Sequence, residues 1–321
     1  MSLLSTPGGI AAKTASRDVR AQLTSGKRDL RGRVFMLALL LALLTSVAIL
    51  GVLLWDVLST GGSVLVDRFG DFVTGSLRSQ PDEAGILQGL RGTFFIGVLT
   101  VVIAFPMGIA AAVYLEEYAP AQSRLARFID VNIRNLAGVP SVVYGILGLT
   151  IFVKALGSIT GPDSGGRSVL SAGLTLAILV LPIVIITSAE SLRAVPNGLR
   201  EAGFGVGATR WEVTRDHVLP YAAPGILTGT VLALARALGE AAPLILVGAT
   251  TGYLTGGDSF ALDTVRERFT AMPIVITTWA GRPGEDWQTV TAAAIVVLLA
   301  VVLLANTAAI LLRNRFEKKR A

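Results

Sequence analysis

Six apolar runs dominate this sequence, at 34–55, 93–114, 136–156, 170–187, 225–247 and 290–312. A hydrocarbon core takes about 20 residues of helix to cross. Inside lipid every backbone N–H and C=O must find a partner within the protein, so such runs fold as helices. The expected fold is therefore an all-α integral membrane bundle of six transmembrane helices. The run at 170–187 is short for a span, and the run at 136–156 carries Lys154 near its end. The first run is about twice as long as the apolar core of a secretory signal, so it reads as a retained helix. Ahead of it, residues 1–33 are charged and contain Gly and Ser, the composition of a flexible cytoplasmic arm. The membrane domain is expected over 34–318.

Charge says which way the helices run. Only 16% of residues are charged and the mean hydropathy is +0.66; soluble domains carry about 25% charged residues. The net charge of +6 is compatible with nucleic acid, but the basic residues fall between the apolar runs rather than on one patch. The expected partner is membrane lipid, and no nucleic acid. Of the 28 Lys and Arg, 19 lie in segments 1–33, 115–135, 188–224 and 313–321, and 7 lie in 56–92, 157–169 and 248–289. Cytoplasmic segments concentrate Lys and Arg, so both termini are expected inside. The chain has no cysteine and one histidine, His217. That excludes disulfides and thiolate metal sites and speaks against histidine metal sites and catalytic triads, so no metal and no cofactor are expected.

Pro106, Pro140, Pro182 and Pro243 fall inside the second to fifth runs, and the first and sixth have none. Proline frees a carbonyl that neighbours in a bundle or cavity can satisfy. Spans two to five are therefore expected to form the working core, with one and six on its lipid-facing edge.

The long segment between the fourth and fifth runs holds Glu201-Ala202-Gly203, then Gly207, His217 and Leu219-Pro220. Leu199, Ala202, Val206 and Trp211 recur at helical spacing and would line one face of a short amphipathic helix, with Gly207 permitting a sharp turn. On its own terms such a helix is either a membrane-surface helix or a docking knob for a soluble partner. The spacing resembles the "EAA" loop of ABC-importer permeases, whose coupling helix fits a groove on the ATPase subunit. Glu201, Ala202, Gly207, Leu219 and Pro220 match that pattern. Gly203 stands where a second alanine is usual, and His217 where isoleucine or valine is usual. The resemblance implies a type I importer permease-like bundle with a cytoplasmic coupling helix.

Three further stretches resemble one branch of that family, the Pst-type phosphate importers: 115–119 (Leu-Glu-Glu-Tyr-Ala), 136–145 from Leu136 to Gly145, and 235–244 from Ala235 to Leu244. Pro243 after the Arg/Glu segment, the stretch from Met272-Pro273 to Trp279, and Arg313-Asn314-Arg315-Phe316 are similar to the PstA-type permeases of that branch rather than the PstC type. The resemblance covers roughly 34–318. It implies a bacterial inner-membrane transport subunit that makes and breaks no covalent bond. It also implies its partners: a PstC-like permease, a dimer of a PstB-like cytoplasmic ATPase, and a PstS-like extracytoplasmic phosphate-binding protein.

Two features need separate weighing. The stretch from Gly161 to Ser168 has nearly the spacing of a phosphate-binding loop, but with Arg167 in place of lysine. It lacks the preceding strand and lies in an expected outside loop, so an ordinary turn is expected. Gly225 and Gly229 form a GxxxG, which marks either a close helix contact or a coincidence in a chain with 35 glycines.

Arg236 and Glu240 stand four apart in the fifth run. Counted from Gly225, Arg236 lies about 17 Å along the helix, near mid-membrane, where a charge marks a functional site by default. The pair either neutralises itself and holds the bundle together or faces a translocation pathway. In the resembling family this Arg/Glu segment lies along the substrate path. The remaining function classes fare less well. A permease for another oxyanion, sulfate or molybdate, shares the same loop. An intramembrane enzyme finds no His cluster, Ser/Lys or Asp/Asp pairing in any run, and a sensor finds no soluble signalling domain.

Overall fold

The structure, a computed structural model, describes residues 30–120, 123–250 and 265–318. The expected arm lies almost wholly outside them; its last residues already belong to the first helix. Ten helices carry the architecture: α1 (Leu30–Asp67), α2 (Leu87–Tyr118), α3 (Arg124–Ala137), α4 (Ser141–Ala155), α5 (Val169–Arg193), α6 (Asn197–Gly205), α7 (Arg210–Gly239), α8 (Ala242–Val247), α9 (Met272–Ala280) and α10 (Glu285–Lys318). No strand occurs among the described residues. Five helices are long and apolar enough to cross a membrane, and α3 with α4 make a sixth crossing if that bent pair is one span.

The chain divides into two compact units, Met1–Asp56 and Val57–Ala321. Within the first, the described part is a single helix, and a lone helix cannot bury its own side chains; Leu41 and Leu50 are exposed. The second unit is built around α5. Two thirds of the most apolar stretch of α5 is buried, against a third for α2 and α7 and 6% for α10. Helices α2 and α7 pack along α5, α8 packs on α4, and α10 lies against α7 and α9. The main core joins Ile96 and Ala104 of α2, Leu176, Val180 and Val184 of α5, Ala233 of α7 and Leu244 of α8.

The four prolines behave in two ways. Pro106 and Pro182 sit inside unbroken α2 and α5. Pro140 instead ends a helix: α3 stops at Ala137, α4 starts at Ser141, and their axes differ by 102°. The residue before a proline, here Val139, is pushed out of the helical region, which ends the helix ahead of it. The third run, expected as a span over 136–156, therefore holds the end of α3, the bend at Pro140 and the whole of α4. The fifth run breaks as well. α7 ends at Gly239 and Pro243 stands in the first turn of α8, a position where its missing N–H costs nothing.

The GxxxG is a real close approach. A Cβ built on Gly225 would lie 2.5 Å from Ser191 Oγ, and one on Gly229 would meet the Thr187 side chain. Only hydrogen at these two positions lets α7 lie so near α5.

The loop from Gly161 to Ser168 folds on itself. Within it Gly166 N donates to Gly161 O (2.7 Å), Arg167 N to Ser164 O (3.3 Å) and Ser168 N to Gly166 O (3.1 Å). The Ser164 hydroxyl donates to Arg266 O at 3.0 Å. It follows the short helix Gly157–Thr160 rather than a strand, so the context of a phosphate-binding loop is missing.

Candidate functional site

The segment between α5 and α7 is ordered from within. Helix α6 ends in a pair of backbone bonds, Ala208 N to Gly203 O (3.2 Å) and Gly207 N to Phe204 O (3.0 Å). That closure needs a left-handed residue after the cap, and Gly207 supplies it with φ +85°. Next, Thr209 and Glu212 form a reciprocal cap that starts α7. Thr209 N donates to Glu212 Oε2 (2.7 Å) and Glu212 N to Thr209 Oγ1 (3.4 Å). α7 then widens over Thr214–Val218, where Leu219 N reaches back to Thr214 O. Pro220 follows at once and has no N–H for the Asp216 carbonyl, so a wider turn just before it relieves the crowding.

Glu201 and Ala202 are exposed on α6, and Pro220 is exposed at the start of the apolar part of α7. Gly203 is buried against Val213, where a Cβ would come within 2.8 Å of Cγ2. Leu219 is half-buried and joins the inner cluster with Val213, Val218 and Leu192. The expected apolar face is only partly formed. Leu199 turns inward to the same cluster, because α6 stops before Trp211 and the four residues do not share one helix. The outward apolar side chains are Val206 (85% exposed), Trp211 (55%) and Phe204 (48%).

A second group of residues, found by neither spacing nor periodicity, holds this segment to the end of α2. The last turn of α2 is wide, with Ala119 N bonded to Tyr114 O at 2.8 Å. Its residues Glu116, Glu117 and Tyr118 each hold one arginine. Glu116 Oε1 pairs with Arg193 Nη2 at 2.5 Å. Glu117 Oε1 accepts from Arg200 Nη2 at 2.7 Å, and both its oxygens accept from Nε at 3.2 Å. The Tyr118 ring lies 5.7 Å from the Arg210 guanidinium, whose Nη1 donates to Tyr118 O. Asp130 of α3 extends the group to Arg193 (3.7 Å) and Arg134 (3.1 Å). Beside it lies a cavity of about 300 Å³ lined by Glu116, Ser123, Arg127, Asp130 and Arg193.

Arg236 and Glu240 are at the far end of α7. Their separation is 3.7 Å between Nε and Oε1, with side chains 47% and 20% exposed. The two residues meet as their spacing predicts, but they do not share one helix. Because α7 starts at Arg210 and ends at Gly239, Arg236 is in its last turn, and Glu240 already has extended backbone, with φ −82° and ψ 118°. A cation in the last turn is favoured by the helix dipole. The pair therefore marks a break in the fifth crossing. Among the described residues no group of three or more His, Cys, Asp or Glu is placed to hold a metal ion.

Residues 104–320 match the family model of the binding-protein-dependent transport system inner membrane component. The chain belongs to this family. It is a multi-pass inner-membrane transport subunit of that kind, with a type I ABC-importer permease fold, rather than an enzyme. Curated relatives include the probable ABC transporter permease protein YqgH of Bacillus subtilis, 35% identical over 57% of this chain and 60% of that protein. The phosphate transport system permease protein PstA 1 of Mycobacterium tuberculosis is 34% identical over 72% of this chain and 71% of its own length. PstA of Mycobacterium leprae is 32% identical over 80% and 79%. Among solved structures, a bacterial alginate ABC transporter chain superposes with a TM-score of 0.58 at 19% identity, covering 88% of this chain and 94% of that one. A chain of the inward-facing MetNI methionine ABC transporter gives 0.56 at 19% identity, covering 74% and 99%.

Proposed function

We propose that this chain is the PstA-type permease of an ATP-driven phosphate importer in a bacterial inner membrane, with both termini cytoplasmic. The observation that carries this reading is the identity of 32–34% to phosphate permeases over 72–80% of the chain. A PstC-like permease completes the pathway, a PstS-like binding protein delivers phosphate outside, and a PstB-like ATPase dimer works from the cytoplasm.

The segment of Glu201, Ala202, Gly203, Gly207, Leu219 and Pro220 is the coupling loop. Support comes from its rigid closure around Gly207 and from Phe204, Val206 and Trp211, which stand exposed beside Glu201. Apolar side chains held outward around a tightly closed turn suit a groove on a soluble partner. Arg236 offers a guanidinium fork to phosphate oxygens, and Glu240 offsets its charge when the path is empty. The break at Gly239 supports that role, since irregular backbone at membrane depth is tolerated where it is buried or lines a cavity.

The test is uptake of radiolabelled phosphate by the reconstituted four-component system, with sulfate and molybdate as competitors. Phosphate uptake that excess sulfate and molybdate leave unchanged is expected. Preferential transport of either competitor would replace the phosphate assignment.

A further inference from the structure

Three consecutive residues at the end of α2 grip the whole length of the loop between α5 and α7. Glu116 takes Arg193 where α5 ends, Glu117 takes Arg200 in the middle of α6, and Tyr118 takes Arg210 where α7 begins. The middle contact differs from its neighbours in burial. The Glu117 side chain is 8% exposed and that of Arg200 19%, whereas Arg193 is 46% exposed.

Arg200 is also the better connected partner. Its Nη1 donates to Val195 O (2.8 Å) and Asn197 Oδ1 (3.3 Å), and its Nη2 to Leu192 O (2.9 Å) besides Glu117. One guanidinium thus ties three elements: the last turn of α5, the start of α6 and the carboxylate of α2. Through the backbone, α6 is continuous with α5 and α7 alone. Arg200 gives it a charged, geometrically fixed link to α2, which is distant in sequence by 83 residues. A buried ion pair is a poor way to gain stability compared with apolar packing, while the fork geometry fixes position sharply.

We propose that Glu117 and Arg200 are the positioning pair through which displacement of α6 is delivered to α2. Helix α2 packs along both α5 and α7, so a push on α6 that reaches α2 moves the second, fourth and fifth crossings together. Without the pair, α6 loses its charged link to α2 and the ATPase cycle turns without moving α2. This inference rests on the reading of α6 as the ATPase-docking segment.

The experiment uses the full reconstituted complex. Glu117→Gln keeps the size of the side chain and one acceptor but removes the charge. Normal abundance and ATPase binding are expected, with phosphate moved per ATP hydrolysed falling at least about fivefold, the lower end of common coupling effects. An unchanged ratio would overturn the proposal, as would a parallel fall of uptake and hydrolysis with abundance, which is what a merely structural pair gives. A second variant guards against misfolding. The chain has no cysteine, so Glu117→Cys with Arg200→Cys adds the chain's only thiols. Bridging them with a reducible bis-thiosulfonate reagent should restore the ratio, and reduction should abolish it again. Failure of the bridge to restore coupling also overturns the proposal. Trp211→Ala with Phe204→Ala separates the two layers of argument. If that variant keeps the ATPase bound, the docking reading itself is wrong. If it releases the ATPase while Glu117→Gln stays coupled, only the positioning role fails.

Discussion

Replacing Gly203 by alanine sets two ordinary effects against each other within one short helix. Alanine is favoured over glycine in a helix interior by about 1 kcal/mol, so propensity alone says that α6 becomes firmer. The new Cβ, however, would lie 2.8 Å from Val213 Cγ2 and 3.4 Å from Cγ1. Carbon atoms rest at about 3.5–4.0 Å, so the nearer methyl must retreat by roughly 1 Å. Val213 is 1% exposed and sits among Val195, Val218 and Leu192. Its branched side chain has one strongly preferred rotamer in a helix and no free space to turn into. Overpacking of this kind costs about 1–3 kcal/mol. The gain from propensity is also reduced near a helix end, and Gly203 is in the last turn of α6. The net expectation is a loss of about 1 kcal/mol, which raises local opening of α6 about fivefold. Hydrogen exchange of the α6 amides in the purified complex reads this directly. Adding Val213→Ala should relieve the clash, with a favourable coupling of about 1 kcal/mol between the two sites. Slower exchange in Gly203→Ala than in the parent would refute the reasoning, because propensity would then outweigh the contact with Val213.

Other expectations concern the two ends of α7 and the loop that mimics a nucleotide site. Gly207→Val forces a β-branched residue to φ +85°, where such residues are outliers; the protein should reach the membrane in normal amount but fail to copurify with the ATPase. Arg236→Gln should abolish phosphate uptake at normal abundance, and adding Glu240→Gln should not restore it; recovery in the double variant would make the pair structural. The isolated chain should neither hydrolyse ATP nor bind it, since Arg167 stands at the lysine position and a helix rather than a strand precedes the loop; calorimetric titration with nucleotide checks this.

The all-helical membrane class was legible in the sequence because apolar length is a strong, local signal, and five of the crossings stand as long apolar helices among the described residues. The breaks were not. Pro106 and Pro140 look alike in sequence, yet α2 continues through the first while the chain turns by 102° at the second. The outcome depends on what neighbours can satisfy, which periodicity does not carry. Arg236 and Glu240 were found by composition, as charges in an apolar run. Their place at a helix end was missed because the run reads as continuous past Gly239. The pattern from Thr209 to Glu212 was a legible cap signature, and it would have moved the start of α7 from Gly225 to Arg210. Glu117 and Arg200 carried no local signal of their contact, since only the fold brings them together. The face assigned to Leu199, Ala202, Val206 and Trp211 failed for a related reason: it assumed one helix where the chain forms two around Gly207.

The unbroken course of α7 gives the molecule a lever. From Arg210, beside the exposed Trp211, to Arg236 the helix is about 39 Å long at roughly 1.5 Å per residue. Tilting a rod of that length by about 5° around its base sweeps its tip through about 3 Å, two residues of helical rise. Glu240 lies just past the end of the rod, and its N–H donates to Ala237 O (3.3 Å), so it travels with the tip. A small angular input at the base is thus amplified into a displacement of the whole Arg236–Glu240 pair relative to the helices around it.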